Sequence, residues 1–160
     1  AAPARALTPG ATPLGPVLGA AFGQIDATRL ASIVTATEAH ALRVTPWRLF
    51  LLEGSDPVTT SDFITTANDP LLSIDACPGA PMCPAASVET HALARALAGK
   101  TSQRLHVSGC SEGCARARPT ALTLVGDNGH FNLVKGGTPW DEPAITGLVP
   151  DTLPDRIGEL

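Results

Sequence analysis

The sequence has no tyrosine and only two tryptophans and four phenylalanines, so aromatic residues make up 4% of its 160 residues. A packed core must therefore come mainly from aliphatic side chains, and a hydrophobic content of 44% is sufficient for one. Charged residues are also few, at 16%, and the formal net charge of −4 gives no general positive field. This balance excludes a broad electrostatic surface for nucleic acid or for an anionic membrane.

Several common signatures are also missing. No apolar run approaches membrane-spanning length, and no G-x-G-x-x-G or P-loop motif marks a nucleotide site. The first residues lack the basic and apolar regions of a signal peptide. We therefore expect a cytoplasmic protein that takes any electrons it uses from a separate donor. Because the first residue is not Met, we expect that the chain was processed or begins inside a longer one.

Cysteine is scarce, but the four cysteines are concentrated in two tight pairs. Cys77 and Cys83 are spaced C-x5-C on a loop that carries prolines, and Cys110 and Cys114 are spaced C-x3-C. Four thiolates from two loops suit a [4Fe-4S] cube, in which each iron takes one external sulfur. Two alternatives stay open: buried thiols or disulfides, and a structural zinc site, which usually uses C-x2-4-C pairs.

The cysteine segments carry a resemblance to a known family. Ala76–Pro84, read as ACPGAPMCP, together with the later C-x3-C pair resembles the cluster signature of the sirohaem and [4Fe-4S] sulfite and nitrite reductases. Within that family it is most similar to the cluster-bearing C-terminal half of the precorrin-3B synthase branch. Leu42–Arg48 (LRVTPWR) resembles the ferredoxin-like half-domain of that branch. His130–Gly137 (HFNLVKGG) resembles the strand and glycine turn beside the tetrapyrrole.

This resemblance implies a set of metal ligands and an activity. All four cysteines would bind a [4Fe-4S] cluster, and the position matched by Cys114 bridges to sirohaem in the reductases. The precorrin-3B branch instead implies a tetrapyrrole substrate and a monooxygenase type of oxidoreductase. Its reaction is the oxygen-dependent hydroxylation and lactonisation of precorrin-3A in aerobic cobalamin biosynthesis. The alternatives are a fragment of a sirohaem-dependent sulfite or nitrite reductase and a non-catalytic electron-transfer module.

Basic residues in the resembling segments are candidates for contacts with tetrapyrrole carboxylates, because guanidinium groups bind carboxylates through two hydrogen bonds. Each is alternatively an ordinary solvated charge. The first candidates are Arg116 and Arg118, which closely follow the last cysteine. The further candidates are Arg48, Lys135 and Arg43.

The resemblance has two further implications. The oxygenase character of the branch implies a mononuclear non-haem iron, which would take two histidines and a carboxylate. None of the four histidines has a spacing typical of such a site, so we assign no second metal site. Family members hold the macrocycle between two pseudo-symmetric halves, and this chain resembles one half. We therefore expect a missing half or a partner chain to complete the pocket, with weak or absent turnover by this chain alone.

The order of elements predicts an α+β fold with three parts. Residues 1–16 are predicted as a flexible Ala- and Pro-rich lead-in, and residues 17–58 as a ferredoxin-like half-domain. The resemblance implies that residues 59–160 are a [4Fe-4S] cluster-binding α/β domain of the nitrite/sulfite reductase type, and the prolines after Gly137 predict an irregular C-terminal tail.

Local signals predict several elements within these parts. The patterns indicate a helix capped by Asp26, a strand over Leu42–Leu52 interrupted by Pro46, and a hairpin turn at Asp127–Gly129. A second helix is predicted over Pro84–Gly99, with proline at its first position. Its first amide groups would face the cluster sulfurs and stabilise their negative charge.

Overall fold

The computed structural model describes residues 7–160, which divide into two compact units. The first unit ends at Leu72, and the second comprises Ser73–Leu160. The sequence places this boundary earlier, after residue 58. The structure differs because later residues belong to the first unit: Gly19 and Ile64 exchange two backbone hydrogen bonds of 2.8 Å, and Leu72 packs against a buried cluster on the sheet.

The first unit is a four-stranded antiparallel sheet with one helix. Its elements are β1 (Gly10–Thr12), β2 (Gly15–Gly19), α1 (Ala27–Thr37), β3 (Ala41–Val44) and β4 (Leu49–Glu53). The strand order is β1-β2-β4-β3. A core that includes Leu18, Ile33 and Phe50 joins α1 to β2 and β4. The predicted cap is confirmed, because the Asp26 carboxylate accepts the backbone N–H of Arg29 at 2.9 Å.

This unit differs from the sequence prediction in two places. Residues 1–6 of the predicted flexible lead-in lie outside the described residues, but residues 10–16 form β1 and the start of β2. The predicted single strand Leu42–Leu52 is a hairpin, in which β3 pairs antiparallel with β4. Its turn contains Pro46, which has no N–H to donate to a sheet, and Arg48, which has a φ of +60°.

The second unit is a five-stranded mixed sheet with two helices. Its elements are β5 (Ile74–Ala76), α2 (His91–Leu97), β6 (Leu105–Ser108), β7 (Thr120–Asp127), β8 (His130–Gly137), β9 (Ile145–Leu148) and α3 (Leu153–Arg156). The strands follow the order β5-β6-β7-β8-β9, and the first three are parallel. The predicted hairpin between β7 and β8 is confirmed, because Asn128 and Gly129 both have positive φ angles, of 47° and 80°.

The predicted helix Pro84–Gly99 is much shorter in the structure, since α2 begins only at residue 91. The residues before it pair with the first cysteine loop instead. The N–H of Ala80 donates to the carbonyl of Val88 at 2.8 Å, and Gly79 forms a β-bridge with Glu89. The prediction that the first amides of this helix face the cluster is therefore wrong.

The predicted irregular tail contains two regular elements, β9 and α3. The sequence signal was obscured by prolines, yet Pro154 lies in the first turn of α3, where a missing N–H costs little. Leu153 and Ile157 are buried and join the core of the second unit. The helices that the structure describes within residues 7–160 are all too short or too polar to cross a membrane.

Candidate functional site

The two cysteine pairs lie at the same end of the second sheet. Cys77 directly follows β5, and Cys110 follows β6 after one glycine. β5 and β6 are parallel neighbours, with Ala76 opposite Val107. Because the carboxyl ends of parallel strands meet at one edge of a sheet, the two cysteine loops leave the sheet side by side. Ligands commonly bind at this edge of sheets with parallel strands.

The two loops contact each other at Gly109. Its backbone N–H donates to the Sγ of Cys77 at 3.1 Å. A Cβ atom at this position would lie 2.6 Å from the Cβ of Ala86 and 3.1 Å from the Cα of Gly79. Any other residue would therefore push the loops apart. The absence of a side chain at Gly109 allows the close approach and leaves the Cys77 sulfur with a hydrogen-bond donor.

The first cysteine loop is fixed by hydrogen bonds to its backbone. The N–H of Cys83 donates to the carbonyl of Gly79 at 2.7 Å, and Gly79 adopts a φ of +64° that favours glycine. The hydroxyl of Thr90 donates to the carbonyl of Cys77. Thr90 is fully buried just before α2, so this bond anchors the loop to the interior of the second unit.

The four sulfurs differ in exposure. Cys77 is buried, Cys83 and Cys110 are partly exposed, and Cys114 is exposed; none forms a disulfide. Within residues 7–160, no three His, Cys, Asp or Glu side chains are arranged closely enough to hold a metal ion. The structure thus places the two pairs on neighbouring loops without bringing all four sulfurs to ligand distance.

A buried carboxylate lies on the strand that leads to the first cysteine. Asp75 is 7% exposed, and its Oδ2 accepts from Nη2 and Nε of Arg104 at 3.0 and 3.2 Å. Nη1 of Arg116 is 3.4 Å from the same oxygen. Burial lowers the pKa of Arg116, and the nearby Asp75 charge opposes that effect. Arg116, a predicted tetrapyrrole contact, is therefore directed at a carboxylate of the protein.

A buried histidine lies next to this carboxylate in the sheet. His106 on β6 is opposite Asp75 on β5 and Thr123 on β7. It is fully buried, and neither ring nitrogen has a hydrogen-bond partner among the described residues. Burial lowers the pKa of His106 to about 4, while Asp75 raises it and Arg116 lowers it. The imidazole is thus neutral near neutral pH.

A pocket of about 270 Å³ borders the second cysteine loop. Cys110, Val125 of β7 and Asn132 of β8 are among its lining residues, and no described lysine or arginine lines it. Asp141, also in the lining, accepts from the backbone N–H and the hydroxyl of Thr138 at 2.7 and 2.8 Å, which lowers its pKa. The pocket therefore has acidic rather than basic character and does not suit tetrapyrrole carboxylates.

The remaining predicted tetrapyrrole contacts do not share one surface of a single unit. In the second unit, Arg118 is exposed between β6 and β7, and Lys135 is exposed on β8. In the first unit, Arg48 lies in the β3–β4 turn and is partly buried. The exposed Arg43 pairs with Glu53 at 2.5 Å, which accounts for it as a surface ion pair.

Comparisons with known proteins place these features in context. No family model matches the chain. A precorrin-3B synthase from Sinorhizobium sp. is 36% identical over an alignment of 160 positions, which covers 86% of this chain and 35% of that protein. The NirA protein of Mycobacterium tuberculosis matches in structure with a TM-score of 0.62 and 18% identity, covering 95% of this chain and 38% of NirA. The chain therefore spans about a third of the length of the curated relative.

The fold defines the class of protein. The mixed α+β architecture with two sheets is of the nitrite/sulfite reductase type, as the sequence predicted. The sequence match is more specific and confirms the predicted resemblance. The chain is thus similar in sequence to a precorrin-3B synthase and similar in fold to NirA.

Sequence reasoning missed three residues of this region. Asp75 and His106 are polar residues within short apolar strands. A polar residue between apolar neighbours in a strand is a signal from which their burial could have been predicted. Gly109 could have been recognised as a close-approach glycine only from its place between a strand and a cysteine. Their partners come from distant parts of the chain, so no local pattern indicated the contacts.

The Gly109→Ala variant should be less stable than the wild type by about 1–3 kcal/mol, because the added methyl overlaps Ala86 and the backbone of Gly79. Urea unfolding measures this difference. In an Ala86→Gly background the same substitution should cost less, since the nearest overlapping atom is gone. An equal cost in both backgrounds would show that the contact with Ala86 is not the cause.

Protonation of His106 should couple stability to pH. The folded-state pKa, about 4, lies below the ordinary value of 6.5, so the unfolded chain binds the proton more readily. The free energy of unfolding should therefore be highest above pH 6.5. It should decrease by on the order of 3 kcal/mol as the pH falls from 6.5 towards 4. Urea unfolding of His106→Gln between pH 7 and 4 should show a shallower pH dependence than the wild type. Variant His130→Gln, at an exposed position, should keep the wild-type slope.

Proposed function

We propose that this chain is the cluster-bearing part of a precorrin-3B synthase and that its four cysteines bind a [4Fe-4S] cluster. The observation that carries the proposal is the adjacent position of the two cysteine loops at the carboxyl end of β5 and β6. The sequence match to precorrin-3B synthase supports it. The chain spans 35% of that relative, and in this proposal the complete activity also needs a missing half or a partner chain.

The donor set fits a [4Fe-4S] cluster. Cys77 and Cys110 begin their loops from hydrogen-bonded neighbouring strands, and their partners Cys83 and Cys114 lie on the more exposed parts of the same loops. Hydrogen bonds to cluster sulfurs tune such centres, and Gly109 already supplies one to Cys77. Cys77, Cys83, Cys110 and Cys114 would each supply one thiolate ligand.

When bound, the cluster supplies single electrons for the redox chemistry. The residues of the chain bind it and shield it. Cys77 holds one sulfur in a buried position. A Cβ on Gly113 would lie 2.9 Å from the ring of Trp140, so this indole covers the backbone of the second cysteine loop. No nucleotide motif is present in the sequence, and in this proposal a separate donor protein delivers the electrons.

The substrate in this proposal is a tetrapyrrole, precorrin-3A, which is hydroxylated and lactonised with dioxygen in aerobic cobalamin biosynthesis. Its carboxylates would be bound by Arg48, Arg118 and Lys135, whose charged groups can form strong hydrogen bonds to carboxylates. Arg118 is the leading candidate because it is exposed and only four residues beyond Cys114. We assign no residues to a mononuclear non-haem iron, since the described His, Asp and Glu side chains form no such group.

The NirA-like fold favours a second candidate function. In a fragment of a sirohaem-dependent sulfite or nitrite reductase, the same four cysteines would bind the cluster and the tetrapyrrole would be a resident cofactor. A resident sirohaem would give the purified protein an intense Soret absorption band. Absorption spectra therefore separate the two candidates.

Anaerobic reconstitution of the chain with iron and sulfide should give about four irons and four sulfides per chain, with broad absorption in the blue. Each of the variants Cys77→Ser, Cys83→Ser, Cys110→Ser and Cys114→Ser should lower the iron and sulfide content, because each removes one ligand. Ser111→Ala, an exposed position between two of the ligands, is the matched control and should bind as the wild type does.

A wild-type chain that binds zinc in place of iron and sulfide, or no metal at all, would contradict the cluster assignment. An added Soret band in protein purified from its natural source would favour the reductase fragment. A cluster without any tetrapyrrole binding would favour an electron-transfer module.

Binding of a carboxylated tetrapyrrole probe, uroporphyrin, should weaken with rising salt and should be about fivefold weaker in Arg118→Gln than in the wild type. The physical reason is the loss of one exposed charge-assisted contact. Absorption titration of the reconstituted chain measures the dissociation constants. Lys100→Gln removes an exposed charge outside the proposed set and should leave binding unchanged. Equal effects of the two substitutions would rule out a specific role for Arg118.

A further inference from the structure

A single carboxylate connects the two cysteine loops. Asp75 lies two residues before Cys77, and Arg116 lies two residues after Cys114. The 3.4 Å contact between Oδ2 of Asp75 and Nη1 of Arg116 therefore joins the segment before the first thiol to the segment after the last one. These two residues are 41 positions apart in the sequence, so only the fold brings them together.

Arg104 completes this ion-pair group. It lies immediately before β6, and both its Nη2 and its Nε donate to Oδ2 of Asp75, at 3.0 and 3.2 Å. One carboxylate oxygen thus receives N–H groups from two guanidinium groups. A buried carboxylate is stable only when it is paired in this way. The loss of the Asp75 charge would leave the partly buried Arg116, at 14% exposure, without its counter-ion.

We infer that Asp75 is a positioning residue that, through Arg116, holds the two cysteine loops in the arrangement from which they bind the cluster. The inference rests on the proposed function for its cluster part, whereas the contact between the loops exists without any metal. It also gives Arg116 a different role from the predicted one. Arg116 forms an ion pair with Asp75. The exposed Arg118 remains available to bind a ligand.

A purely structural role for the ion pair makes different predictions. In that case the Asp75→Asn substitution would destabilise the second unit as a whole, and any equally destabilising core substitution would have the same effect on the cysteines. Leu153→Ala provides this comparison, because Leu153 is fully buried on α3 and truncation of a buried leucine leaves a cavity. Asp155→Asn is the matched charge control, since Asp155 is exposed.

The first measurement uses the metal-free, reduced chain. Thiol labelling with iodoacetamide, resolved by mass spectrometry, gives a rate for each cysteine. Buried Cys77 should react about tenfold faster in Asp75→Asn than in the wild type, while exposed Cys114 should react at the wild-type rate. Arg116→Lys keeps the positive charge and should show a smaller increase. Asp155→Asn should match the wild type.

The second measurement uses the reconstituted chain and follows iron release to a ferrous chelator. Asp75→Asn should lose iron about tenfold faster than the wild type, with Arg116→Lys in between. Leu153→Ala should lose iron more slowly than Asp75→Asn when the two are compared at temperatures equally far below their thermal unfolding midpoints.

The outcomes separate the inference from the proposed function. Faster Cys77 labelling and faster iron release in Asp75→Asn, beyond the effects in Leu153→Ala, support the positioning role. Unchanged Cys77 labelling, or equal effects in Leu153→Ala, overturns the inference and leaves the cluster assignment intact. A wild-type chain that binds no iron and sulfide overturns the proposed function and the cluster part of the inference, whatever the labelling shows.

Discussion

The parallel pairing of β5 with β6 is the interaction on which the candidate site depends. Adjacent strands lie about 4.8 Å apart, so two loops that leave neighbouring parallel strands at the same edge must start close together. Cys77 and Gly109 follow directly from these strands, and the N–H to sulfur contact of 3.1 Å between them is a consequence. A parallel pair also requires a long crossover connection. Here that connection includes the first cysteine loop and α2.

The same pairing explains the buried charges. All four residues of β6 are buried, as expected for a parallel strand covered on both faces. The charged or ionisable side chains buried on β5 and β6 must therefore be paired or neutral. Asp75 is paired with Arg104 and Arg116, whereas His106 stays neutral through a strongly lowered pKa. The row of polar side chains across the sheet thus follows from the topology that brings the cysteine loops together.

The sequence predicted the features that local chemistry determines. The spacing of the four cysteines indicated the candidate metal centre, Asp26 indicated a helix cap, and Asn128-Gly129 indicated a tight hairpin. Long-range contacts determined what was missed. Residues 84–90 have a plausible helical pattern, but the backbone pairing between Ala80 and Val88 outweighs that preference. In the same way, the sequence alone indicated that Arg116 contacts a ligand, whereas the structure shows its guanidinium group beside Asp75.

The distribution of positive charge in the second unit limits what the proposed tetrapyrrole site can contain. The second unit has its own core, in which Leu97, Leu105 and Leu133 are fully buried. The partly buried guanidinium group of Arg116 faces an internal carboxylate, and the pocket beside Cys110 has no described lysine or arginine in its lining. A macrocycle with many carboxylates needs several cations facing one space. In the proposed enzyme, further cations must therefore come from outside the second unit.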